Sequence, residues 1–356
     1  MSGTTVSARF LLRPCTADDL PALERFAAAS PVGITTLPYD RAFLTDRLQR
    51  SLHSFATEDA SGEEIYLFAL EEVASGAVIG ISGIAARAGF SDRFYSFRNE
   101  FVVHSSKPLG VTTRIHTLHL CHDLTDVSLF ISYHIDPAYV HTLAPQLLSR
   151  ARLLFIAQHA ERFADRIAAE SAGVADDNGR CPFWDAVGRR FFGMDYPTVE
   201  RLTGGRSKSF IADLMPPSPI YVPLLPEEAQ WAIGQLHPIA ELPFSILLDE
   251  GFDADTYLDI FDGGPTVQER LAMLKSVGRS RLLTARTLDA DAGAASAPWQ
   301  LIANTDRQQF RALLQPAAVS GDALLLDAQT LALLGLRAGE PARAAVFDSP
   351  LWGESR

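Results

Sequence analysis

Residues 127–170 constrain this chain more than any other stretch. They read as a strand (127–135), a turn, an amphipathic helix (147–163) and a second short strand (166–170). A strand–helix–strand passage of this kind leaves its two strands parallel and joined by a right-handed crossover. It calls for a mixed sheet with a helix on its face. A helix entered straight from a strand also presents free N–H groups and the positive end of its dipole, where many folds hold phosphate. Such turns usually carry glycine, so that backbone can approach the ligand. Here Val140, His141, Thr142, Leu143, Ala144, Pro145 and Gln146 occupy the turn. Pro145 suits the first turn of a helix, but it removes an N–H, and Leu143 adds bulk where close approach is wanted. Arg150 and Arg152 supply charge further along.

Around this passage the chain reads as α/β. Residues 10–12 form a short strand before Arg13-Pro14, and Thr16 is placed to cap a helix carrying Leu20, Leu23 and Phe26 on one face. A second helix spans 41–56, and residues 64–72 and 77–86 make two strands joined by a Ser-Gly turn. CPFWDAVGRRFF (181–192), EEAQWAIGQL (227–236) and LPFSILLDEGF (242–252) read as helices, the last ending at Gly251. TYLDIFDGGP (256–265) is a strand running into a turn. From 279 the chain turns to short apolar runs, with ADAGAASAP as a surface loop and a helix-then-strand ending like that of small double-psi β-barrels. Expected units are therefore residues 7–205, a second α/β segment at 206–278, and a small barrel-like domain at 279–348.

The order of elements, Arg13-Pro14 and VIGISGI together resemble the GNAT (N-acetyltransferase) fold. That likeness implies a splayed strand whose free backbone groups hold the pantetheine arm of an acyl-CoA and polarise its thioester. GITTLP, FYSFRNE, LCHDLT, CPFWDAVGRRFF, FIADLMPPSPIYVPLLPEEAQ, IGQLHP and DIFDGGPT, in that order, resemble the arginine N-succinyltransferase family over nearly the whole chain. FYSFRNE with LCHDLT is similar to alpha subunits of the two-chain arginine/ornithine form. The resemblance implies transfer of succinyl from succinyl-CoA to the α-amine of L-arginine, with ornithine or another amine as alternative acceptor. It also implies a related beta chain as partner and no permanently bound cofactor.

Carried onto this sequence, the resemblance makes His237 the catalytic proton donor. Proton traffic is the right task for an imidazole, because the substrate ammonium loses a proton and the departing thiolate gains one. Read from spacing alone, His237 is a cap on a helix ending at Leu236, with Pro238 as its stop. The same resemblance puts Tyr133 at a succinyl-CoA contact, with Ser132, His134 and Ile135 along that edge and Ala144 at the turn. The alternative for Tyr133 is ordinary core packing. Arg98 with Glu100, Asp123 and Asp262 supplies charges that an amino acid needs. The same residues also read as a charged network in an insertion or subunit contact, and Asp262 as part of a tight Gly-Gly-Pro turn. Because the turn at 140–146 lacks glycine, a second reading stands beside the first: a non-catalytic subunit whose beta partner binds succinyl-CoA.

Composition excludes other classes. Forty-seven per cent hydrophobic residues in 356 rule out a disordered chain, and a net charge of −12 argues against coating nucleic acid or an anionic membrane. Cys15, Cys121 and Cys181 are far apart, with no metal-ligand spacing, which suits a reducing cytoplasm. The N-terminus lacks the apolar run of a signal peptide, and no stretch is apolar for long enough to span a bilayer. His141 and His159 have no partners at metal spacing, so no metal site is expected. Ser149 and Ser209 lack a glycine elbow, which sets aside a serine hydrolase.

Overall fold

The computed structural model describes residues 8–30, 37–90, 92–203, 213–288 and 297–349. Most of GITTLP, the Ser207–Ser209 region with the first residues of FIADLMPP, and most of the ADAGAASAP loop lie outside the described residues. The chain runs β1 (Phe10–Pro14), α1 (Leu20–Ala29), α2 (Arg41–Ala56), β2 (Ile65–Glu72), β3 (Ala77–Ala85), β4 (Ser96–Ser106) and β5 (Val111–Cys121). It continues with β6 (Ser128–Ile135), α3 (Ala144–Gln158), β7 (Arg166–Glu170), α4 (Pro182–Ala186), α5 (Gly188–Phe192), α6 (Tyr196–Thr203) and β8 (Ile220–Tyr221). Then come α7 (Glu227–Ala232), α8 (Glu241–Glu250), β9 (Asp253–Leu258), β10 (Pro265–Arg270) and α9 (Lys275–Gly278). The last part holds β11 (Arg281–Thr287), β12 (Trp299–Asn304), β13 (Ala312–Pro316), β14 (Ala318–Ser320), β15 (Ala323–Leu326), α10 (Ala328–Leu334) and β16 (Pro341–Val346).

These strands form one mixed sheet in the order β14-β15-β11-β16-β12-β13-β1-β2-β3-β6-β7-β10-β9-β4-β5-β8. The pairing of β6 with β7 is parallel, as the crossover through α3 requires. Period-two alternation on β2 assigns the two faces. Tyr66, Phe68 and Leu70 turn toward α3, while Leu67 and Ala69 turn toward α1 and α2. Both faces of the central strands are thus covered by helices.

α3 is the axis of the molecule. Its residues from Ala144 to Ile156 are all buried, because β12, β13, β16, α8 and α9 pack around it on the sides the sheet leaves open. Gly80 of β3 permits its close approach, since a Cβ there would stand 2.9 Å from Leu148 and 3.0 Å from the His134 carbonyl. Arg150 ties this helix to its cover. The guanidinium donates to Gln146 Oε1 at 2.9 Å and pairs with both Asp249 and Glu250 at the end of α8. Lys275 reaches Asp249 at 2.8 Å, and Ser276 donates to Glu250 from its N–H and its hydroxyl. The residues from 281 onward have a core of their own around Leu283, Ile302, Leu313, Leu324 and Leu334. Their other face sends Leu301, Phe310 and Leu314 into the core around α3.

The departures from expectation have local causes. The helix expected at 147–163 begins at Ala144 and stops at Gln158, where His159 leaves helical geometry (φ −125°, ψ 45°). The helix expected at 181–192 breaks at Val187 (φ −110°, ψ −79°). The one expected at 227–236 ends at Ala232, because Gly234 takes φ +71° and its N–H donates to Gly263. Leu236 is then free to bridge Gly173. The β4–β5 hairpin was not anticipated. Its outer half is exposed on both faces, so the alternation that signals a strand is absent there.

Removing one partner of a buried ion network leaves the others uncompensated, so Arg150→Leu should lower the unfolding free energy by about 3–5 kcal/mol in urea titrations.

Candidate functional site

β6 and β7 share register only through Ser128–Ile167, Leu129–Ala168 and Phe130–Ala169. Beyond Phe130, β6 runs on to Ile135 still paired to β3, but no described strand pairs with its other edge. Meanwhile β7 is drawn to the opposite side, where β10 pairs along its length. The chain after β7 is held away as well. Gly173 N–H donates to Asp262 Oδ2 at 2.8 Å, and Ala172 O accepts from His237 N–H at 2.9 Å. Gly264 must be glycine for this arrangement, since a Cβ would meet the Ser171 carbonyl at 2.3 Å.

The two parted strands leave a cavity of about 790 Å³. It passes through the sheet, because Phe26 of α1 and Ser30, which caps its C-terminus, line one end and Ser149 and Arg152 of α3 line the other. Residues 129–137 of β6 and the following turn form one wall. Ala169, Ser171 and Ala172, with Pro238, Ile239 and Ala240, form the facing one.

β6 is irregular where it lines this opening. Ser82 of β3 faces both Ser132 and Tyr133, a bulge that interrupts the register between Ile81 and Gly83. Ser132 is buried with φ +54°, a left-handed conformation that costs a non-glycine residue about 1–3 kcal/mol and concentrates at functional sites. Tyr133, on the α3 side, donates its hydroxyl to Pro145 O at 3.4 Å, and burial pushes its phenol pKa up. His134 points the other way, toward Phe26 and Ser30.

Two histidines flank the cavity in opposite tautomers. Ser30 Oγ donates to Phe26 O at 2.8 Å, so it accepts from His134 Nδ1–H at 3.2 Å. The lone pair of His134 is therefore on Nε2, a buried atom without a hydrogen-bond partner in the cavity lining. Burial, with the charge of Arg47, pushes this imidazole's pKa down to about 4. His237 is the reverse case. Its Nδ1 accepts from Ile239 N–H at 3.3 Å and caps the short turn before α8, which leaves the proton on Nε2. The capping expected from sequence is thus present at the start of the next helical turn, not at the end of the last helix. His237 stands beside the lining, between Ala172 and Pro238.

Of the other candidates, Tyr133, Ser132, Ile135 and Asp262 line the cavity, and Ala144 does not. Ala144 is buried, and its N–H donates to Thr142 Oγ1 at 3.2 Å. Asp262 is pinned by the N–H groups of Gly173 and Gly264, both at 2.8 Å, and by Tyr196 Oη at 3.3 Å. Arg98, Glu100 and Asp123 come together elsewhere, at the base of the β4–β5 hairpin. Arg98 pairs with Asp123 at 2.9 Å and with Glu100, His119 stands 3.5 Å from Glu100, and Tyr257 Oη donates to Asp123 at 3.4 Å. The two carboxylates of this trio share the one guanidinium.

Arg152 is the lining residue that sequence reading undervalued. Its signal was present: an arginine one turn beyond Leu148, on the apolar face of an amphipathic helix. Burial pulls its guanidinium pKa down, to about 9.

Two family models match this chain. One is described as arginine N-succinyltransferase beta subunit and covers residues 10–276; the other, its C-terminal domain, covers residues 281–345. Arginine N-succinyltransferase subunit alpha of Pseudomonas aeruginosa is 46% identical over 335 residues, which is 94% of this chain and 98% of that protein. Subunit beta from the same organism is 38% identical over 339 residues, 95% of this chain and 98% of that one. The solved structure of arginine/ornithine succinyltransferase subunit AI from Pseudomonas aeruginosa superposes with a TM-score of 0.86 at 42% identity. It covers 96% of this chain and 100% of that chain.

The depressed pKa of His134 makes stability depend on pH. The unfolded chain takes up this proton below 6.5 and the folded chain only near 4. Stability is therefore full above 6.5 and is lost on acidification between those values. Near pH 5, His134→Asn should flatten the slope of unfolding free energy against pH by about 1 kcal/mol per pH unit. The half-buried His159, shifted the same way, retains a smaller share. Denaturant titrations at pH 7, 6 and 5 measure both.

Proposed function

This chain belongs to the arginine N-succinyltransferase family, and on that premise we propose that it is an acyltransferase moving succinyl from succinyl-CoA to the α-amine of L-arginine, or of ornithine. The observation that carries this reading is the cavity opened through the sheet where β6 and β7 part. In a GNAT-like arrangement the pantetheine arm lies along the edge of β6 that no described strand joins beyond Phe130, on the side that β7 leaves. Ser132, Tyr133 and Ile135 then serve mainly through their backbone. N–H groups at the bulge polarise the thioester carbonyl and stabilise the oxyanion as the amine attacks.

The acceptor enters from the far side of the sheet. Carboxylates in the lining, Asp262 and Glu170 among them, suit its cationic groups. As the N–C bond forms and the C–S bond breaks, the proton shed by the attacking amine passes by way of His237 to the departing thiolate. This returns the imidazole to neutral, so no covalent enzyme intermediate is needed. Arg98, Glu100 and Asp123 are better read as bracing the hairpin than as acceptor ligands. Phe101, Val103, Leu109 and Val111 are exposed on that hairpin, which fits a contact with a related beta chain. The gap between the two family matches, together with the separate core beyond residue 281, supports a terminal barrel-like unit at 279–348, preceded by segments at 7–205 and 206–278. No described helix is long and apolar enough to cross a membrane. The three free thiols fit a cytoplasmic location.

One observation favours the second reading, a non-catalytic subunit. The first turn of α3 is buried, lacks glycine and has spent its Ala144 N–H on Thr142, so it offers little to a pyrophosphate.

His237→Asn separates the two, because asparagine keeps the N-cap acceptor but transfers no proton. With L-arginine and succinyl-CoA we expect kcat to fall about 100-fold or more at unchanged melting temperature. Micromolar binding of succinyl-CoA to the isolated chain, read by calorimetry, accompanies that result. A chain that binds no succinyl-CoA, in a complex indifferent to His237→Asn, would establish the subunit-only role.

A further inference from the structure

A buried guanidinium stands in the cavity wall without a counter-charge among the described residues. Arg152 is 2% exposed. It donates from Nε to Ser149 O at 3.2 Å, from one terminal nitrogen to Gly83 O at 3.1 Å, and from the other to Ser149 Oγ at 3.4 Å. Its Cζ lies 3.8 Å from the centre of the Phe130 ring and 5.9 Å from that of Tyr133. A guanidinium has five N–H groups, so these bonds leave two without a partner. No carboxylate of the described residues pairs with it.

The other buried arginines near α3 are provided for. Arg150 meets two carboxylates, and Arg162 is held by the Tyr66 hydroxyl and the carbonyls of Thr57, Glu58 and Asp59. Carbonyls and ring faces solvate Arg152 only in part, and an unpaired charge away from water is expensive. Phe130, over which it sits, is the last residue of β6 paired to β7. Arg152 therefore lies at the floor of the opening, just behind the backbone edge assigned to the thioester.

We propose that Arg152 is the receptor for a substrate carboxylate, either the distal carboxylate of the succinyl group or the α-carboxylate of the amino-acid acceptor. This rests on reading the cavity as the succinyl-transfer site. The two spare N–H groups present a fork to the two oxygens of a carboxylate. An acyl-CoA without a second carboxylate, or an amine without one, leaves that fork buried and unmet, which penalises the wrong substrate more strongly than a lost methylene would.

Four substrate pairs test this with the full chain and its Arg152→Met variant: succinyl-CoA or acetyl-CoA, each with L-arginine or its decarboxylated analogue agmatine. If the succinyl carboxylate is recognised, Arg152→Met lowers kcat/KM for succinyl-CoA about 100-fold while acetyl-CoA changes by less than about 3-fold. If the acceptor's carboxylate is recognised, the loss falls on L-arginine and spares agmatine. The melting temperature supplies a readout independent of turnover. Unliganded Arg152→Met should melt no lower than the wild type, since a buried charge is replaced by an apolar chain of similar length. The stabilisation by the recognised ligand should shrink to that of its carboxylate-free analogue.

Arg152→Lys, which keeps the charge and loses the fork, should retain part of the preference. Equal loss for all four pairs, or a lower melting temperature with selectivity intact, would show that Arg152 only fastens α3 to β3, and would overturn the proposal. A wild-type chain that neither binds nor uses succinyl-CoA would overturn the functional reading itself, and this inference with it.

Discussion

The structure depends on a competition for β7. This five-residue strand is parallel to β6 for three residues and antiparallel to β10 for five. The longer ladder and the Asp262 clamp on Gly173 fix its direction, and β6 loses a neighbour it would otherwise keep. A sheet interior rarely leaves backbone groups without a ladder, because buried N–H and C=O groups are costly to strand. The opening is sustained from both sides, by the bulge at Ser132 that bends β6 and by the turn at 259–264 that occupies the space beyond β7.

The same geometry sorts the charges. α3 is enclosed on every side, so each of its arginines must find a partner or stand unmatched. Arg150 is matched by the end of α8, and Arg152 faces the cavity. Two residues along one helix therefore have unlike roles, one fastening the C-terminal half to the sheet and the other left with donors to spare. His134 and His237 show a similar division. One has its lone pair on a buried Nε2, and the other spends its Nδ1 lone pair on capping a turn and so carries its proton on Nε2.

Much of this was readable in the chain. The parallel β6–β7 passage, α2, β7 and the Gly251 stop lie where periodicity and punctuation put them, since each has one buried face and a clear terminator. Signals failed where tertiary contacts overruled local ones. Gly234 falls inside the helix expected over EEAQWAIGQL, but its left-handed turn serves the Gly263 and Gly173 contacts. The β4–β5 hairpin has little alternation because its outer half meets solvent on both faces. Ser132, Tyr133, Ile135 and Asp262, singled out in the sequence, line the cavity. Arg98, Glu100 and Asp123 were grouped correctly with one another but not with the cavity, because sequence shows charge complementarity without showing distance. Arg152 was passed over as one more charge on a helix.

The strand order also bears on how the chain comes off the ribosome. β1, the first strand made, takes β13 as a neighbour through the Leu12–Ala312 pairing, and β7 waits for β10. Helix α3 emerges long before the residues beyond 299 that cover its outer surface. During synthesis it therefore has an apolar flank bare to solvent for much of the chain's length. Such delayed long-range pairing slows folding and invites association in the interval. The nascent protein is most at risk just before its last strands arrive, and a truncation that removes them would expose the very helix on which the cavity is built.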